Sequence, residues 1–105
     1  MMTTKTPMTA TDKVTAHDMI CASLTNLYAA KNADYGDSFG RGYREYGMVM
    51  PCIRLEDKLN RIKSLRGRHA QVQDESLRDT LMDLANYAIM TILELDADAM
   101  KGVRL

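Results

Sequence analysis

The sequence predicts an all-α fold: a small helical bundle of three main helices plus a short helix or Gly/Tyr-rich loop. Three observations carry this. Apolar residues recur every three or four positions in three long segments. Gly and Pro punctuate the boundaries of those segments. No stretch has the apolar–polar alternation of a half-buried strand. At 105 residues the chain makes one domain with one modest core.

Residues 1–10 are Thr-rich and aperiodic, and read as a flexible N-terminal arm. The helical domain is expected over 11–105. Thr11 or Asp12 can cap a first helix reaching about Asn32, with Val14, Ile20, Cys21, Leu24, Leu27 and Tyr28 on its apolar side. Residues 33–47 hold four Gly and four aromatic residues, which suits a functional loop, with a short helix near 40–46. Pro51 fits the first turn of a second long helix from about Met50 to Arg66, with Leu55, Leu59, Ile62 and Leu65 or Arg66 as its core stripe. Gly67 ends it, 68–73 is a polar loop, and the last helix runs from about Asp74 to Ala99.

Composition excludes several classes. The 14 basic and 14 acidic residues cancel, so direct nucleic-acid binding through a basic surface is not expected. No apolar run approaches the roughly 20 residues that cross a membrane, and no signal-peptide pattern opens the chain. Cys21 and Cys52 have no CxxC partner and sit among apolar residues, so they read as reduced core thiols of a cytoplasmic protein. Nine Met, one Phe and no Trp make a thin core, and such a chain gains stability by forming a homo-oligomer, a dimer or higher.

The last helix carries the most chemistry. Glu75, Asp79, Asp83 and Asn86 fall three or four residues apart and so form one polar stripe. Leu77, Leu81, Leu84, Ala88, Ile92 and Leu95 take the other face, at core spacing. Stacked carboxylates repel one another, so a stripe of oxygen ligands makes most sense facing Mg²⁺ or Mn²⁺. Glu56, Asp57 and Asn60 on the second helix could complete such a site, with Glu56, Asp57, Asp79 and Asp83 as metal ligands. A solvated acidic face is the plainer alternative. Lys31, Lys58, Arg61 and Arg41 are candidate phosphate partners, and Tyr35, Phe39 and Tyr43 are candidate surfaces for stacking a base.

Three ordered blocks resemble a known family. Lys31-x-x-Asp34-Tyr35-Gly36-x-x-Phe39 is followed by Ile53-Arg54-x-x-Asp57-Lys58-x-x-Arg61. Asp74-Glu75-Ser76 with Asp79-x-x-x-Asp83-Leu84-Ala85-Asn86-Tyr87-Ala88 closes the set. Together they resemble the phage and bacterial nucleotide modification associated domain family of small α-helical proteins. The pattern is more distantly similar to the MazG-like all-α nucleotide pyrophosphohydrolases. That likeness implies an oligomeric Mg²⁺ enzyme that cleaves nucleoside triphosphates to monophosphate and pyrophosphate, in the host cytoplasm if phage-encoded. Asp79 and Asp83 match the acidic pair of the final metal-binding helix, and Glu56 or Asp57 stands for the acids of the preceding one. Asn60 stands where those enzymes carry a further Glu. On this reading Glu75, Asp79 and Asp83 are catalytic. Lys31, Asp34, Tyr35, Phe39, Lys58, Asn60, Arg61 and Asn86 hold the nucleotide. The alternative is a nucleotide-binding, sequestering or accessory protein without turnover, and the two divide on whether the acids converge on one point.

Overall fold

A computed structural model describes residues 7–66 and 74–102, with the backbone alone for Asp74, Glu75 and Ser76. It is all helical: α1 (Ala10–Tyr35), α2 (Ser38–Tyr46), α3 (Val49–Arg66) and α4 (Asp74–Met100), with no strand among the described residues. Residues 1–6 of the expected arm and the expected polar loop at 68–73 lie outside the described residues.

α1 starts earlier and ends later than its apolar pattern indicates. Thr9, not Thr11 or Asp12, is the cap. Its hydroxyl accepts from the Asp12 amide at 3.0 Å while the Asp12 carboxylate accepts from the Thr9 amide at 3.4 Å. That reciprocal pair satisfies two amides left open at a helix start. At the other end the helix runs through Asp34 to Tyr35 and stops at Gly36, whose φ of 64° lies in the left-handed region that glycine adopts without strain.

α2 is the short helix expected inside the Gly- and Tyr-rich segment. Asp37 caps it by accepting from the Gly40 amide at 3.2 Å, and Arg44 pairs with the same carboxylate at 3.6 Å. A methyl group on Gly40 would run into the Asp37 carboxylate. Gly40→Ala is therefore expected to displace the cap and destabilise the fold by about 1 kcal/mol, read by urea unfolding. An unchanged midpoint would count against this role for Asp37.

α3 and α4 form the central layer. Lys58 Nζ donates to Asp83 Oδ2 at 3.0 Å, and Arg61 Nε donates to Thr80 Oγ1 at 3.2 Å. Stepping three residues forward on α3 steps three back on α4, so the two helices are antiparallel. α1 and α2 pack on α4 through a few strong anchors. Leu24 is buried, and its carbonyl accepts from the buried Asn86 amide at 3.2 Å. Tyr43 is buried and donates to Asp98 Oδ2 at 2.7 Å.

That bond to Asp98 is the main reason the Tyr43 phenol titrates above its ordinary value of 10.0; burial and the nearby charges of Asp98 and Glu94 add to it. The folded chain thus holds this proton more tightly than the unfolded chain. The stabilisation is complete below the unfolded value and is lost as pH rises through the folded one. The thermal midpoint should fall above about pH 10, and less steeply in Tyr43→Phe. Identical alkaline profiles would remove Tyr43 as the cause.

Several core assignments need correcting. Cys21 and Cys52 are free but exposed, not core residues. Of the expected apolar faces, Leu24 is buried and Leu27, Tyr28, Leu55, Ile62, Leu77, Leu84 and Leu95 are half-buried. Val14, Ile20, Leu59, Leu81, Ala88 and Ile92 are exposed. The reason is geometric: the α3–α4 layer is covered by α1 and α2 on one side, and only the C-terminal half of α1 reaches it. No helix among the described residues is long and apolar enough to cross a membrane.

Candidate functional site

Helix periodicity delivers one stripe of side chains from each element to a shared cleft of about 490 Å³. On α1, Tyr28, Lys31, Asn32 and Tyr35 stand at spacings of three, four and seven, which is one helical face. Gly36 then turns the chain so that α2 presents Ser38 and Phe39 to the same space. On α3, Met50 and Arg54 are one turn apart, and on α4 Asp83, Asn86, Tyr87 and Met90 follow the same rule.

The cleft gathers aromatic residues. The chain has six, five Tyr and one Phe, and five of them line it: Tyr28, Tyr35, Phe39, Tyr46 and Tyr87. Only Tyr43 is spent on the core. Phe39 and Tyr87 stack with ring centroids 5.9 Å apart and planes inclined by 22°, which ties α2 to α4. Tyr35 and Tyr46 are instead 69% and 64% exposed, so their faces are free at the mouth.

Charge is the second property. Lys31 and Arg54 line the cleft, and Asp83 lies between α1 and α3. Asp83 Oδ2 takes Lys58 at 3.0 Å and Oδ1 meets Lys31 at 3.7 Å. The Lys31 contact is longer, and Lys31 is the more exposed of the two lysines, so it is the cation better placed to turn toward a ligand. With Asp83 balancing one cation, the cleft wall keeps one positive charge to spare.

The expected site residues divide accordingly. Lys31, Tyr35, Phe39, Asp83 and Asn86 meet in the cleft. Lys58 reaches it through Asp83, while Arg61 is held by Thr80. Asp34, Asn60, Glu56, Asp57 and Asp79 are exposed and do not line it. The Glu75 side chain lies outside the described residues. Among the described residues no three His, Cys, Asp or Glu side chains gather closely enough to hold a metal ion. The described donor set therefore does not fit a resident Mg²⁺: the one acid in the cleft already faces two ammonium groups.

Sequence reasoning missed Tyr28, Asn32, Tyr46, Met50 and Arg54 as cleft residues. The signal was present for two of them. Tyr28 lies three residues before Lys31, and Arg54 four before Lys58, each on the face of a residue already singled out.

Residues 31–95 match the family described as nucleotide modification associated domain 1, a span that begins at the cleft lysine of α1 and closes on α4 beyond Met90. No curated protein and no solved structure matches the chain.

Proposed function

The chain belongs to the nucleotide modification associated domain 1 family, and from that premise we propose that its cleft binds a nucleotide without turning it over. The reading places the protein as a sequestering or accessory component of nucleotide metabolism or DNA base modification. One observation carries it: five of six aromatic residues line one cleft that also holds Lys31 and Arg54. Aromatic faces accept any base by stacking, worth about 1–3 kcal/mol per base. A guanidinium and an ammonium group suit phosphate. The buried Asn86 amide, held by the Leu24 carbonyl, also lines the cleft. A cleft of about 490 Å³ is in the range of small-ligand sites.

A second reading, Mg²⁺-dependent pyrophosphohydrolysis of the MazG-like kind, rests on Asp79 standing one turn before Asp83 within the matched span. An ion carried in on phosphate oxygens needs only one or two protein carboxylates. The ammonium groups on Asp83 weigh against it.

The test separates the two halves of the cleft. Arg54→Met and Lys31→Met should each weaken a nucleoside monophosphate by about tenfold in calorimetric titration, the value of one charge-assisted contact of roughly 1.4 kcal/mol. Both should leave the parent nucleoside unaffected. Equal losses for nucleotide and nucleoside, or no nucleotide binding by the unaltered protein, would overturn the proposal.

A further inference from the structure

The α3–α4 layer has two faces, and among the described residues only one of them is covered. Asp83 and Lys58 mark the face toward α1, since Asp83 also meets Lys31. Ile92 is nine residues from Asp83, which puts it about 180° round α4. The uncovered face carries Val49, Cys52 and Leu59 from α3 and Leu81, Ala88 and Ile92 from α4, all exposed. Leu59 is 45%, Leu81 46% and Ile92 53% exposed, although Leu81, Ala88 and Ile92 hold core spacing in the sequence. Val49 and Cys52 are three residues apart with Leu59 two turns on, and Leu81 stands two turns before Ala88 with Ile92 one turn on, so each set shares one side of its helix.

We propose that a second copy of this chain covers this face, α3–α4 against α3–α4, to form a four-helix layer pair. Area supports that occupant. α3 has 18 residues and α4 has 27, and two helices side by side present a face about 27 Å long and roughly 20 Å wide. That footprint is about 540 Å² a side, and two copies together clear the roughly 1,000 Å² that separates a specific interface from a chance contact. Charge supports it as well. The antiparallel register puts exposed Lys63 and Arg78 at one end of the face, exposed Glu56 midway and exposed Asp96 toward the other end. A copy turned end for end by a two-fold axis sets each basic end over an acidic one, as a self-complementary interface requires. Core economy points the same way: Leu24 and Tyr43 are the buried hydrophobic side chains among the described residues, a small core that association would enlarge.

Light scattering after gel filtration of the full chain should give twice the 11.8 kDa of one chain at micromolar concentration. The thermal midpoint should rise with protein concentration, as it does when association stabilises the fold. Leu81→Arg should give a monomer. If Leu81→Arg does not fold, the concentration dependence of the unaltered chain decides the matter. Val14→Arg, on the N-terminal half of α1, should leave the dimer intact. A monomeric unaltered chain with a concentration-independent midpoint would overturn the proposal and leave the face to a foreign partner. So would a dimer that survives Leu81→Arg and is broken by Val14→Arg.

Discussion

Asp83→Asn is expected to tighten nucleotide binding by about three- to tenfold. The carboxylate is the negative wall of the cleft and draws two ammonium groups to itself. Removing its charge frees Lys31 to meet a phosphate and ends the repulsion between carboxylate and phosphate. At an effective dielectric of about 20–40 and separations of some 8 Å, that repulsion is about 1–2 kcal/mol before salt screening. The fold should lose no more than about 1 kcal/mol, because the pairs with Lys58 and Lys31 are partly solvated. A hydrolase that holds Mg²⁺ through Asp83 requires the reverse, with binding and turnover both lost. Calorimetric titration of the variant with a nucleoside monophosphate, beside urea unfolding, reads both quantities. Weaker binding by a folded Asp83→Asn would count against the charge balance described for the cleft.

Phe39→Ala should have the larger effect on stability. Phe39 is the ring that joins α2 to α4, and it is half-buried with Tyr87 stacked on it. Truncating a core Phe costs about 3–5 kcal/mol, and an aromatic pair contributes about 0.5–1.5 kcal/mol of that. Half-burial scales the expected loss to about 2–3 kcal/mol. Binding should fall by more than tenfold, since one wall of the cleft goes with it. Phe39→Leu keeps most of the volume, so it should restore most of the stability and little of the base stacking. Full recovery of binding by Leu would show that the ring packs α2 in place and does not contact ligand.

The helices were readable because their signals are local. The Gly residues that end α1 and α2 and Pro51 in the first turn of α3 act within four residues, and so does the Thr9–Asp12 capping pair, which lies in the Thr-rich stretch read as an arm and was passed over for a cap at Thr11 or Asp12. The cleft was partly readable for the same reason, since Lys31, Tyr35, Phe39, Asp83 and Asn86 were marked by spacing or motif. What spacing cannot show is the register between helices. Opposite Asp83 the antiparallel α3 presents Lys58. Asp57 and Glu56 stand roughly 100° and 200° round the same helix from Lys58, a difference that spacing within one helix does not reveal. The two-sided character of α4 was hidden for a related reason. Its stripe of Leu81, Ala88 and Ile92 has core periodicity, and periodicity does not say whether the covering helix belongs to the same chain.

We propose that the cleft takes a nucleotide through its aromatic faces and the cations of Lys31 and Arg54, without a resident metal. The deciding experiment is calorimetric titration of a nucleoside mono- and triphosphate panel in excess EDTA, followed by addition of Mg²⁺ and assay of the same samples for pyrophosphate. Saturable binding in EDTA with no pyrophosphate after Mg²⁺ is the predicted result. Binding that appears only with Mg²⁺, or pyrophosphate release from a triphosphate, would contradict it.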